Sequence, residues 1–379
     1  MKFLAFGLVA GLSLGLSAQP VVAQAAAPSG LPCLTASSVV ALPKAERARH
    51  HASTLVVDAQ GRLQAYWFAG SREGARDVVI LRSLWQAGQW TAPQAVLDAA
   101  RLSELLGRKV RKLGNPVLWR GKDGALQMAV VHVTAGGWAA ARVAHLRSDD
   151  HGLTFGQARD WVLSPLWNVS TLVRSPPWPA AQGGWLLPVY HELAVKRSEL
   201  LKLSETGELI SHQRMESGAG VLQPTLVGRD DKPGFMLSLS RTGDAEQAPF
   251  IHQQQSLDGG RTWSAPQRLS LPNPNAGIAL MAWPALRGWL LAYNPETSSR
   301  KTLSLAWRAW DDPQGEWRPL TAPALTWQEP GEASYPAFQW QAGPAGAGEV
   351  HLSYTSNRER VLHVRLNSCA SPLAEGVRQ

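Results

Sequence analysis

The stretch Ser256-Leu257-Asp258-Gly259-Gly260-Arg261-Thr262-Trp263 decides the fold that the sequence predicts. Asp258-Gly259-Gly260 is a tight-turn signal, because glycine reaches positive φ at little cost. Ser256, Asp258 and Thr262 can hydrogen-bond to backbone amides inside the turn, and Trp263 can fold back as a plug. A near copy lies upstream, Ser148-Asp149-Asp150-His151-Gly152-Leu153-Thr154-Phe155. Both octamers fit Ser-x-Asp-x-Gly-x-Thr-aromatic, so they indicate a repeat.

The residue that closes each such turn recurs at a regular interval. Degenerate copies add three closing positions, and the full set of markers is Trp90, Phe155, Ile210, Trp263 and Trp317. Subtracting neighbouring numbers gives intervals of 65, 55, 53 and 54 residues. Each interval fits one four-stranded blade of a propeller. The longer first interval is explained by a predicted helix at residues 96–112, inserted between the first two blades.

The two ends of the chain are predicted to share a sixth blade. Strand-like runs at 335–341, 349–354 and 361–366 supply three strands, and 38–42 supplies the outer one. Cys33 and Cys369 form a natural disulfide in an oxidising compartment. We therefore predict an all-β, six-bladed β-propeller as a single domain over 33–369, with a C-terminal tail at 370–379. A β-sandwich and a seven-bladed ring are the alternatives.

The N-terminus predicts export. Lys2 is followed by an apolar run and by Val21-Val22-Ala23, a small-residue cleavage site, so residues 1–23 are expected to be a bacterial signal peptide. The apolar run is short for a membrane span and breaks at Gln19-Pro20. We expect a periplasmic or secreted monomer with no membrane span after cleavage.

Composition bounds the partners. A hydrophobic content of 45% with only 17% charged residues excludes a disordered chain. The formal net charge of +8 favours an acidic glycan or an anionic surface, although a basic charge also serves solubility alone. The basic run at 108–112 has no nucleic-acid motif beside it. No zinc or calcium spacing is present, so neither a metal nor another cofactor is expected.

Polar residues in the strand-like runs recur at two common phases relative to the closing markers. The first series is placed near one end of each second strand and consists of Glu73, His132, Tyr190, Arg241 and Arg300. The second is placed near one end of each first strand and consists of His51, Asn115, Arg174, Gln223, Asn275 and Tyr335. In antiparallel pairs these ends can share a face. Polar strand ends are common, so phase alone leaves an ordinary loop reading open.

The octamers, together with residues 67–77, 114–118, 271–278 and 334–338, resemble the sialidase superfamily. The likeness is to the sialidase-related branch of Asp-box, or BNR-repeat, proteins, and it covers nearly the whole mature chain. Sialidases hold the substrate carboxylate with three arginines. They use an Asp as acid/base and a Tyr nucleophile assisted by a Glu, and a neutral nucleophile suits an anionic sugar.

The resemblance implies roles for particular residues. Arg241 and Arg300 occupy the second and third arginine positions, Tyr335 the nucleophile position, and Glu73 falls near the acid/base position. An arginine pair can grip a carboxylate by parallel hydrogen bonds. Further substrate contacts are expected from Arg72, Asn115, Tyr190, Gln223 and Asn275. The octamers are assigned to folding, through Ser148, Asp150, Gly152, Thr154 and Phe155 and their equivalents Ser256, Asp258, Gly260, Thr262 and Trp263.

Two positions depart from the sialidase pattern. His51 stands where the first arginine is expected, and Gln223 stands where the glutamate partner of the tyrosine is expected. His51 is predicted as an auxiliary base or sugar contact, with a structural histidine as the alternative. We expect an exported exo-glycosidase acting on an anionic or modified terminal sugar. The alternatives are a non-catalytic glycan-binding propeller and a polysaccharide lyase that uses His51 and Tyr335.

Overall fold

The chain folds into six antiparallel sheets of four or five strands each. The computed structural model describes residues 31–163, 170–215, 220–243, 249–312, 315–343 and 348–369. The predicted signal peptide at 1–23 and the predicted tail at 370–379 lie outside these residues. Strands of each sheet contact strands of the next sheet all the way round, so the sheets are the blades of a ring. The predicted six-bladed β-propeller is confirmed.

The strands of the first three blades follow the chain. Blade 1 contains Arg49–Val57, Leu63–Gly70, Val79–Gln86, Gln89–Trp90 and Gln94–Asp98. Blade 2 contains Lys112–Arg120, Leu126–Val133, Ala141–Ser148 and Gly156–Asp160. Blade 3 contains Thr171–Val173, Trp178–Pro179, Trp185–His191, Arg197–Leu203 and Leu209–Arg214.

The remaining blades continue in the same order. Blade 4 contains Val221–Leu222, Val227–Gly228, Met236–Thr242, Phe250–Ser256 and Gln267–Pro272. Blade 5 contains Ala279–Trp283, Gly288–Tyr293, Thr302–Ala309, Arg318–Leu320 and Thr326–Gln328. Blade 6 contains Ala333–Ala342, Gly348–Ser356 and Arg360–Ser368, completed by Leu34–Ala36 and Val40–Ala41 from the N-terminal region. The described residues also contain three 3₁₀ turns, Trp138–Ala140, Pro284–Leu286 and Pro323–Leu325.

Blade 6 joins the two ends of the chain, as predicted. Leu34–Ala36 and Val40–Ala41 both pair antiparallel with Arg360–Ser368. The predicted outer strand at 38–42 is therefore only partly right, because the chain bends between two shorter strands. Pairing ends after Leu42, whose amide donates to Val361, since Pro43 has no amide hydrogen to continue the ladder. The predicted disulfide between Cys33 and Cys369 is confirmed.

The helix between blades 1 and 2 is shorter than the predicted 96–112. It spans Ala99–Leu106, and the residues before it are extended in the strand Gln94–Asp98. Asp98 starts the helix, because its carboxylate accepts a hydrogen bond from the Arg101 amide at 2.7 Å. Gly107 ends it in the left-handed conformation, at φ 64°. Apolar periodicity marked the helix but not these two caps.

The two octamers form the same hydrogen-bonded turn. In the first, the Asp150 carboxylate accepts from the Thr154 amide at 2.9 Å and from the Thr154 hydroxyl at 2.6 Å, and the Gly152 amide donates to Ser148 Oγ at 2.8 Å. The second repeats this arrangement around Asp258. These hydrogen bonds outweigh desolvation and lower the pKa of Asp150 to about 2. Both aspartates lie at the periphery of the ring.

The turn of each octamer packs against the preceding blade. A Cβ on Gly152 would lie 2.0 Å from the Tyr66 hydroxyl in blade 1, and one on Gly260 would lie 3.3 Å from Leu186 in blade 3. The degenerate turn at Gly207 meets His145 of blade 2 in the same way. The predicted marker Ile210 is 57% exposed, and its neighbour Leu209 packs on the core instead. The turns therefore join blades as well as strands.

The core is divided among the interfaces between neighbouring blades. Each of the six interfaces holds one cluster of buried apolar residues. Fully buried large side chains include Trp67, Trp283 and Trp289. No helix among the described residues has the length and apolar character to cross a membrane.

Breaking the disulfide should destabilise the ring. It closes a loop with a sequence separation of 336 residues, so it removes much conformational entropy from the unfolded chain. We expect Cys33→Ser with Cys369→Ser to lower the free energy of unfolding by about 2–4 kcal/mol in urea denaturation. The wild type assayed with a reductant is the matched control and should give the same loss. An unchanged midpoint in both would contradict the prediction.

The protein should lose stability as the pH falls below about 6.5. Burial is the main cause that lowers the pKa of His132, His145 and His363 to about 3 and that of His351 to about 4. These pKa values lie below that of a histidine in the unfolded chain, which is about 6.5. Above that pH the histidines are neutral in both states and do not lower the free energy of unfolding. Below that pH the free energy of unfolding falls by up to about 1.4 kcal/mol per histidine and pH unit, until the pH reaches the pKa of the histidine in the folded protein. His145→Gln should flatten the slope of stability against pH by about one proton, and an unaltered slope would count against this account.

Candidate functional site

Irregular inner strands shape one end of the ring axis. Left-handed backbone occurs at Ala52, Gln223, Asn275 and Tyr335, with φ of 54°, 52°, 56° and 52°. The pairing register shifts beside Ala52 and Tyr335. Non-glycine residues rarely adopt this conformation, and such strain clusters at functional sites. These four residues lie at the starts of four different blades. Gln223, Asn275 and Tyr335 belong to the second residue series, and Ala52 follows its member His51. Sequence spacing found these positions but not their conformation.

Tyr335 is held from two sides at this end. The His51 ring of blade 1 lies 4.3 Å from the Tyr335 ring, measured between centroids. The Arg174 guanidinium of blade 3 lies 5.1 Å from the centroid of the same ring. Arg174 also donates to the Pro336 carbonyl at 2.6 Å. Blades 3 and 6 are opposite in a ring of six, so Arg174 reaches across the axis to brace the strained backbone at Tyr335.

His51 is a neutral imidazole. It is 1% exposed, and neither ring nitrogen has a hydrogen-bond partner among the described residues. Burial holds its pKa well below the usual range, and the positive charges of Arg358, Arg174 and Arg300 act in the same direction. The ring therefore keeps a lone pair at neutral pH, while burial and the three arginines oppose its protonation.

Gln223 and Tyr190 form a second polar pair near the tyrosine. Gln223 Nε2 donates to the Tyr190 hydroxyl at 3.3 Å. Both residues are buried, and burial raises the pKa of Tyr190 well above its usual range. A Cβ on Gly277 would lie 3.1 Å from Gln223 Oε1 and 3.9 Å from the Tyr335 ring. Glycine at 277 thus leaves room where these side chains converge.

Two arginines from neighbouring blades share one acceptor. Arg241 Nη1 and Arg300 Nη2 donate to the carbonyl oxygen of Asn275, at 3.2 and 2.7 Å. Both guanidinium groups therefore point to one place rather than away from each other. The Glu192 carboxylate lies 3.6 Å from Arg241. Glu192 follows Tyr190 in a polar run, yet its pairing with Arg241 is not readable from spacing.

Glu73 lines a cavity of about 480 Å³ together with His51, Phe68 and Arg358. Arg358 binds Glu73 at 3.2 Å and Glu332 at 3.1 Å. Burial is the main cause that raises the pKa of Glu73, and Glu332 and Glu192 raise it further against Arg358 and Arg300. Sequence reasoning missed Arg358 and Glu332, since neither belongs to a spacing series. The signal that could have found Arg358 is the turn Asn357-Arg358, in which both residues are left-handed.

Trp138 forms a wall of the same cavity and was also missed. It packs over two glycines, because a Cβ on Gly114 would lie 2.9 Å from its ring and one on Gly74 would lie 3.3 Å from it. These glycines belong to blade 2 and to a loop of blade 1, so the ring bridges the two blades. Aromatic faces of this kind are common walls of small-molecule sites.

Other predicted residues lie differently. Arg72 is exposed and lines the cavity of Glu73. Asn115 donates to the Val173 carbonyl at 3.2 Å and so links blades 2 and 3. The neutral His132 is hydrogen-bonded to Asp160 at 2.8 Å, and Arg108 forms an ion pair with the same carboxylate, so His132 belongs to a separate polar group. In the described part of the chain no group of three or more His, Cys, Asp or Glu side chains is placed to hold a metal.

Comparisons with known proteins agree on the architecture. The BNR repeat-like domain matches residues 61–352. A protein of unknown function from Dyadobacter fermentans superposes with a TM-score of 0.68 at 13% identity, over 89% of this chain and 100% of that one. The Hadza microbial sialidase Hz136 gives 0.67 at 14%, over 84% and 66%, and a leech intramolecular trans-sialidase gives 0.64 at 13%, over 85% and 68%. A comparison with curated proteins finds no match.

Filling the space under Trp138 should be costly. Gly114→Ala would place a methyl group 2.9 Å from the Trp138 ring and 3.3 Å from Val131 Cβ, so one of them must move. We expect the free energy of unfolding to fall by about 1–3 kcal/mol, as for other overpacked sites. Gly137→Ala is the matched control, since a Cβ there meets nothing within 4 Å. Equal stability of the two variants in urea denaturation would refute the packing argument.

Proposed function

The chain belongs to the BNR repeat-like domain family, and we propose that it is an exported exo-glycosidase of the sialidase superfamily, acting on an anionic or modified terminal sugar. The observation that carries the proposal is the convergence of Arg241 and Arg300 on one carbonyl oxygen, that of Asn275. Two guanidinium groups aimed at one oxygen are suited to an incoming carboxylate or sulfate. The similar sialidase structures support the fold alone. The acidic class of sugar is proposed from the positive charges of the site.

In this proposal Glu73 is the acid/base. Burial keeps its pKa above the usual value for a glutamate, so a larger fraction carries a proton at mildly acidic pH. The protonated carboxyl gives its proton to the glycosidic oxygen as the bond to the leaving group breaks. The resulting carboxylate then takes a proton from the water that attacks the anomeric carbon in the second step, as the bond to the nucleophile's oxygen breaks and that oxygen regains its proton from the base.

Tyr335 is the proposed nucleophile and His51 its base. The phenol oxygen attacks the anomeric carbon. The proposed acceptor of its proton is His51, whose ring lies 4.3 Å from the tyrosine ring between centroids and whose nitrogens have no other hydrogen-bond partner among the described residues. Gln223 cannot take that proton, because an amide is not a base, so it is assigned to orient Tyr190 and the substrate. Arg72, Asn115 and Trp138 are proposed to contact the sugar or its aglycone.

A non-catalytic glycan-binding propeller is the second candidate. One observation favours it: Gln223 is neutral and buried where a glutamate would assist the tyrosine. A pocket that keeps its arginines and loses its base can bind an acidic sugar without cleaving it. The two candidates predict the same ligand and differ only in turnover.

A substrate panel with two isosteric variants separates the candidates. The mature protein is incubated with aryl glycosides of acidic and neutral sugars and with acidic polysaccharides. We expect turnover of an acidic glycoside, and a loss of at least about 100-fold in kcat for both Tyr335→Phe and Glu73→Gln, the usual size of nucleophilic and acid/base contributions. Glu104→Gln, on the surface helix, removes one charge outside the site and should keep full activity.

Two outcomes would overturn the glycosidase, and a third would change its nucleophile. Tight binding of an acidic glycan without turnover assigns the protein to the glycan-binding class. A product that absorbs as an unsaturated uronide assigns it to a lyase that uses His51 and Tyr335. Turnover that survives in Tyr335→Phe removes the tyrosine from the mechanism.

A further inference from the structure

Arg358 stands on a rigid turn at the mouth of the cavity. The turn joins the strands Gly348–Ser356 and Arg360–Ser368, and both Asn357 and Arg358 are left-handed. The Arg358 carbonyl accepts from the His50 amide at 2.9 Å. Asn357 Oδ1 accepts from the amides of Gly331 at 2.7 Å and Glu332 at 3.1 Å. The backbone of Arg358 is thus fixed before any ligand arrives, and its side chain is still 42% exposed.

The two carboxylates on Arg358 are held unequally. Glu332 is 15% exposed, binds Arg358 Nε, and accepts a second hydrogen bond from Ser334 Oγ at 2.5 Å. Glu73 is 40% exposed and lies on the loop between the strands Leu63–Gly70 and Val79–Gln86. Arg358 is its one hydrogen-bond partner among the described residues. Of the two acids, Glu73 is therefore the one that a competing anion can replace.

We propose that Glu73 and Arg358 form an exchangeable ion pair: the anionic group of a ligand takes the place of Glu73 on Arg358, and the released Glu73 takes one proton from solvent. The anion then lies in the cavity on Arg358, which is kept in place by Glu332, and the charge of Arg300 also acts on this cavity. Only an acidic ligand makes this exchange, so Glu73 becomes protonated when an acidic ligand binds. The inference rests on the proposed function for the role of that acid.

The surrounding charges favour this proton uptake. Arg358 and Arg300 hold Glu73 toward its charged form, while burial, Glu332 and Glu192 oppose it. Loss of the bond to Arg358 removes the larger of the two favourable charge effects, and the ligand anion adds a repulsive one. The pKa of Glu73 therefore rises on binding. The other charged or titratable groups that line the cavity are Arg49, Arg72 and His51.

The exchange is tested by counting protons during binding. N-acetylneuraminic acid and glucuronic acid are titrated into the mature protein at pH 6 by calorimetry, in buffers of different ionisation enthalpy, and the tighter acid is compared with its methyl ester. We expect net uptake of up to one proton with the acid and none with the ester. Glu73→Gln should bind the acid without uptake. Arg358→Gln should lose about ten-fold or more in affinity for the acid and little for the ester.

The controls separate this inference from the proposed function. Arg360→Gln removes an exposed arginine of the adjoining strand and should match the wild type. Binding without proton uptake overturns the exchange and leaves the glycosidase proposal standing. Uptake that persists in Glu73→Gln places the proton on another group, such as His51, and also overturns the exchange. If neither acid binds, the exchange fails, and the substrate panel alone decides the proposed function.

Discussion

The propeller depends on the close approach of each turn glycine to the blade before it. At Gly152 and Gly207 a single added Cβ would lie within about 2 Å of a side chain in the preceding blade, and at Gly260 it would press on two leucines. The Asp150 and Asp258 carboxylates hold these turns in the one shape that allows the contact. The octamers therefore set the spacing between blades. The positions of the side chains at the ring axis therefore depend on these peripheral contacts.

Blade spacing in turn decides which side chains meet at the axis. Tyr335 receives His51 from the neighbouring blade and Arg174 from the opposite one. Its left-handed backbone would be costly in isolation, by about 1–3 kcal/mol. The hydrogen bond from Arg174 to the Pro336 carbonyl shows how the ring compensates for that strain. A tyrosine held in this way is oriented before any ligand binds, which is the usual requirement for a reactive group.

The repeat could be read from the sequence because its chemistry is local. An octamer stabilises itself through neighbours in the chain, so its copies are visible without a structure, and their spacing predicts the blades. Arg358 and Glu332 were invisible, because their importance comes from a contact with Glu73 that lies 285 residues away from Arg358. His132 shares the phase of the site residues yet pairs with Asp160, since phase fixes the strand position and not the partner. The helix was overextended because Asp98 and Gly107 act as caps through backbone geometry.

Because blade 6 contains strands from both ends of the chain, the ring can close only late in synthesis. Leu34–Ala36 and Val40–Ala41 find their only strand partner in Arg360–Ser368 within the described residues. In a polypeptide that emerges N-terminus first, these two strands stay unpaired until nearly the last residues have been synthesised. Ring closure is then a late, long-range step of the slow kind that distant β pairing imposes. Vectorial synthesis yields five blades in sequence, but the enclosed axis, and with it Tyr335, exists only once the final hairpin has emerged.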